Sequence, residues 1–76
     1  MMTPHQAGAA AEAALVAYVT ACGANEPDEL RKVLEMMVSK GARGIEKYCG
    51  NQVAVDVLVR TTERLLVSPA PQKREQ

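Results

Sequence analysis

The chain has 76 residues, with nine Lys+Arg against nine Asp+Glu, so its formal net charge is zero; it has one His and neither Phe nor Trp. Nearly half of it (47%) is apolar, yet Ala and Val supply more than half of that share and only Tyr18 and Tyr48 are aromatic. The length allows one small domain. The even charge argues against a free-standing nucleic-acid binder, whose affinity comes mostly from neutralising phosphates.

The first predicted element is a helix over about 5–22. Thr3, Pro4 and Gln6 make a start signal, with Pro in the first turn and an amide three residues after the cap. Met1 to His5 read as a frayed start. Gly23 is placed to end the helix in a left-handed turn. One face carries Ala7, Ala10, Ala14, Ala17 and Ala21; another carries the bulkier Ala11, Leu15, Tyr18 and Cys22. A helix apolar nearly all round is expected to be enclosed by neighbours.

The second element is predicted over 27–49. Pro27 fits a first helical turn, and Asp28 and Glu29 complement the positive end of the helix dipole. Leu30, Val33, Leu34 and Met37 follow the i, i+3, i+4, i+7 pattern, with Arg31, Lys32 and Glu35 opposite. The stripe continues through Gly41, Gly44 and Ile45 to Tyr48, which favours one continuous helix over a break at Gly41. On that reading the glycines are expected to allow close approach to the Ala-rich face of the first helix. Met36, Met37 and Val38 form a further apolar spot.

The third element, about 52–67, is ambiguous at first sight, because Val53, Val55, Val57 and Val59 alternate as in a strand. Gln52, Asp56, Arg60, Glu63 and Arg64 nevertheless keep a helical polar stripe, and Asp56 and Arg60 form an acid-first i, i+4 pair. No second strand of similar quality exists to pair with it. Helix is therefore the prediction, with Gly50 ending the second helix and Asn51 capping the third. The sequence thus predicts an all-α fold: a single helical domain over 1–67, built as a helical hairpin or three-helix unit and completed as a homodimeric helix bundle. Residues 68–76, polar and with two prolines, read as a disordered tail.

Chemistry has few candidates. His5 is the only histidine and lies at the frayed start, so a histidine-based acid–base pair has no base. Gly41-Ala42-Arg43-Gly44 matches no phosphate-binding motif. Glu26, Asp28 and Glu29 are explained as helix-start charge. Cys22 and Cys49 lack metal-site spacing and are read as reduced, partly buried thiols. Neither catalytic residue, cofactor nor metal is assigned, and no enzyme is expected. The longest apolar run, Ala13 to Val19, is far too short to span a bilayer. It is preceded by no Lys or Arg, as a signal peptide would require. A cytoplasmic location is the expectation.

What remains is surplus apolar surface. Small side chains bury little area each, so a monomer is expected to be marginal, and zero net charge gives little repulsion against self-association. The candidate interface residues are Leu15, Tyr18, Val19 and Met37, with Val55, Leu58, Val59, Thr62, Leu65 and Leu66 on the third helix. The expected activity is that of a small interaction protein (an adaptor, anti-activator or chaperone-like module) that pairs with itself and offers an apolar helix face to another protein. The alternative is a small dimeric DNA-binding transcriptional regulator. It rests on Asn51 and Gln52 opening a helix, with Arg43, Lys47, Arg60 and Arg64 as the cations.

Overall fold

The computed structural model describes residues 1–71. Among them are three α-helices in chain order: α1 (Pro4–Cys22), α2 (Pro27–Cys49) and α3 (Asn51–Val67). Each begins and ends where local chemistry directs. At α1, the Gln6 N–H donates to Thr3 Oγ1 (3.1 Å) while the Thr3 N–H donates to Gln6 Oε1 (3.0 Å), a complete capping box. The cap places Pro4 and His5 inside the helix, so the expected fraying does not reach them. Gly23 closes α1 in the left-handed conformation (φ 70°), its N–H donating to the Thr20 carbonyl. The carboxylate of Glu29 takes up the free N–H groups at the start of α2, accepting from Asn25 (3.1 Å) and Glu26 (3.3 Å). These donors hold the Glu29 carboxyl below its ordinary value, Asn25 contributing most.

α2 runs unbroken through Gly41 and Gly44, as the stripe predicted. A Cβ added at either would meet nothing within 4 Å, so within their own unit these glycines line open space.

The chain divides into two compact units, Met1–Val38 and Ser39–Gln76. In the first, α1 packs with the first part of α2. Tyr18, Val19, Ala24, Leu30, Val33 and Met37 are the half-buried residues, and the Tyr18 hydroxyl donates to the Val33 carbonyl at 2.7 Å. The bulky face of α1 is thus the one turned to α2. Its Ala face stays exposed, and no residue of α1 is buried. One neighbouring helix covers one side only, so the expected enclosure of α1 is not achieved within its unit.

In the second unit, the last part of α2 and α3 meet at a joint one residue long. Gly50 has φ 101° and ψ 158°, a region open essentially only to glycine. Its N–H still donates to the Glu46 carbonyl (2.9 Å), and its own carbonyl accepts from Ala54 (3.2 Å). Gly50 is therefore the cap of α3, and Asn51, predicted as the cap, is instead its first helical residue. Ala54 is the one buried residue among those described; Ala42, Gly44, Ile45, Glu46 and Val57 are half-buried. α3 ends at Ser68, whose N–H donates to the Arg64 carbonyl. Residues 69–71 carry no regular structure. Of the tail predicted to be disordered, residues 72–76 lie outside the described residues.

Candidate functional site

The distinctive surface is on α3. At about 100° per residue, Val55, Leu58, Val59, Thr62, Leu65 and Leu66 fall within one arc roughly 120° wide. The residues that turn into the α2–α3 unit, Ala54 and Val57, lie beside and behind that arc. The aliphatic members keep 38% (Leu58), 44% (Val55), 50% (Val59), 62% (Leu65) and 77% (Leu66) of their surface in water, and Thr62 is exposed. The hairpin therefore packs through a narrow, small-residue face of α3. The wide apolar face points outward.

The four charged residues of α3 stand outside the arc. Asp56 accepts from Gln52 Nε2 at 3.0 Å, which replaces the predicted pairing with Arg60. Near the end of α2, Glu46 forms a polar node, accepting from Asn51 Nδ2 (2.8 Å) and Arg43 Nη1 (2.7 Å). Its carboxyl is held below the ordinary value, first by Asn51 and then by Arg43, and the Arg43 guanidinium is raised in return. This node locks the Gly50 joint from outside.

The predicted interface residues of the first unit behave differently. Tyr18, Val19 and Met37 are half-buried between α1 and α2, whereas Leu15, at 39%, is as exposed as Leu58. Removal from water, and then the neighbouring Cys22 thiol, raise the Tyr18 phenol above its ordinary value. Residues not predicted for the interface are more exposed: Val16, Met36 and Val38 in the first unit, Tyr48 and Val67 in the second. Val16 was legible on a helical wheel, about 160° round from Tyr18. Tyr48 carries the Lys47 ammonium 5.4 Å from its ring centroid, a cation–π distance.

Among the described residues His5 is exposed, and no group of three or more His, Cys, Asp or Glu is placed to hold a metal ion. Cys22 and Cys49 are free and both exposed, which corrects the expectation of partly buried thiols; two-helix packing covers too little surface to shelter them. The surface depressions are open. One is lined by Arg60, Glu63, Arg64, Val67 and Ser68, another by Cys22, Gly23, Ala24, Glu29, Lys32 and Val33. None of the helices among these residues is long and apolar enough to cross a membrane.

Compared with protein-family models, curated proteins and solved structures, the chain finds no match.

Proposed function

We propose that the chain is a small, non-enzymatic, cytoplasmic protein–protein interaction module that acts as a helical dimer, in the manner of an adaptor, anti-activator or chaperone-like protein. The observation that carries the reading is the orientation of α3, which directs its widest apolar arc away from its own hairpin. Apolar surface left in water forgoes about 25 cal/mol for each Å². A contiguous patch of this kind is where a protein partner gains most by binding.

The DNA-binding alternative draws less support from the same residues. The Asn51 and Gln52 amides donate to Glu46 and Asp56, which puts carboxylates beside the groups that would read bases. Of the cations, Arg43 is paired with Glu46.

Light scattering at micromolar concentration tests the reading, with twice 8.2 kDa or more expected. Mass at the monomer value throughout would sink it. Val59→Asp or Leu66→Asp is expected to dissociate the assembly. Passage through a DNA column at low salt is expected; retention that falls steeply with salt would favour the regulator instead.

A further inference from the structure

The outward arc of α3 has a spacing that a second copy of the same helix can match. Its central line is Val55, Leu58, Thr62 and Leu65, at steps of three, four and three. That order reads the same in both directions about position 60. A second α3 running antiparallel therefore presents the identical spacing in register: Val55 level with Leu65 of the second copy, and Leu58 level with its Thr62. This is the self-complementarity that a two-fold interface requires.

From this palindromic spacing, we propose that the dimer forms by antiparallel pairing of α3 with α3 of a second copy, with Val59 and Leu66 flanking the central line. The inference rests on the reading of the chain as a dimeric interaction module and specifies its interface. Charge agrees with it. Asp56, Arg60, Glu63 and Arg64 all lie at least about 100° from the middle of the central line, so no charge is buried by the pairing. They are also two acids and two bases, so one α3 does not repel another.

The area agrees as well. The exposed parts of Val55, Leu58, Val59, Leu65 and Leu66 amount to on the order of 300 Å² of apolar surface. That is roughly two-thirds of the nonpolar area each partner gives a standard-size interface of about 800 Å² per side. Thr62 and the tips of the flanking side chains add to it. Because all six residues are exposed, the pairing needs no rearrangement of the hairpin.

Sedimentation equilibrium of the full chain, with circular dichroism to confirm helicity, tests the pairing. Thr62→Asp places a charge at the centre of the arc and is expected to raise the dimer dissociation constant at least tenfold with helicity retained. Arg60→Gln, outside the arc, is expected to change it less than twofold. Orientation is read by disulfide trapping in a Cys22→Ser/Cys49→Ser background. Leu58→Cys mixed with Thr62→Cys is expected to cross-link under mild oxidation, and Thr62→Cys alone is not. Ready self-cross-linking of Thr62→Cys alone would overturn the antiparallel arrangement. A dimer unaffected by Thr62→Asp would overturn the α3 interface and leave the dimeric module standing. A chain monomeric at every concentration would overturn both.

Discussion

The hydroxyl of Tyr18 on α1 donates a 2.7 Å hydrogen bond to the main-chain carbonyl of Val33 on α2, fifteen residues away. It is the one side-chain hydrogen bond between α1 and α2 among the described residues, and it sits where both helices are half-buried. Packing around it is sparse, so a single directional bond has unusual weight in fixing how α1 lies on α2. A neutral phenol can donate and a phenolate cannot.

Tyr18→Phe keeps the ring and removes the donor. It is expected to lower the melting temperature by a few degrees at pH 7, followed by circular dichroism. The phenol's raised value gives a second readout. In the unfolded chain Tyr18 ionises near its ordinary 10.0, whereas in the folded chain it ionises higher. The contribution is therefore complete below about pH 10 and is lost as pH rises through the folded value. The wild-type protein should lose more stability than Tyr18→Phe between pH 9 and 11; parallel curves would contradict this role.

Two kinds of glycine in one helical region should respond oppositely to alanine. Gly50 holds φ 101°, a conformation that costs a side chain on the order of 1–3 kcal/mol. Gly50→Ala is expected to destabilise by about that amount. Gly41 and Gly44 are helical with open space where a Cβ would go, so each alanine should stabilise by roughly 0.5–1 kcal/mol through lower unfolded-state entropy and better helix propensity. Urea denaturation of the three single variants distinguishes the cases, and a stabilising Gly50→Ala would mean that the joint is not built as described.

The capping box at Thr3 is a local device with a local test. Thr3→Ala removes the acceptor for the Gln6 N–H and is expected to cost about 0.5–2 kcal/mol. Because the interaction lies in the first turn, the loss should appear as faster amide exchange in residues 5–8, while exchange in α3 stays unchanged. Uniform acceleration along the chain would argue against it.

These local devices are what made the helices legible. Thr3 with Gln6, Gly23 after Cys22, and Pro27 with its two acids act within a few residues of themselves, so sequence order alone places them. The choice between Gly50 and Asn51 as cap of α3 was not legible, because either residue suits the position and the backbone angle decides. Nor was the partner of Asp56: Gln52 and Arg60 stand one turn to either side, and the structure selects the amide. For α3 the periodicity drew the wide apolar arc and marked it as interface, but it did not say which adjoining face the hairpin would use. That outcome depends on Ala54 and Val57, whose small size lets α2 come close. Within its own unit α1 is not enclosed for a related reason, since a wheel shows which faces are apolar but not how many neighbours are available.

Acid should loosen the protein at two places for which the sign can be worked out. Glu29 is held below the ordinary 4.5 by the Asn25 and Glu26 N–H groups, and Glu46 is lowered by Asn51 and then Arg43. As pH falls, the unfolded chain takes up these protons first. Each carboxylate therefore contributes fully above about pH 4.5, and its contribution is lost as pH falls through the depressed folded value. Glu29→Gln and Glu46→Gln should each lower the melting temperature at pH 7 and flatten its decline between pH 5 and 2. One carboxylate works at the start of α2 and the other at the Gly50 joint, with no shared partner, so the double variant should show the sum of the two effects. Variants whose melting temperatures stay parallel to the wild type down to pH 2 would show that these hydrogen bonds do not persist in solution.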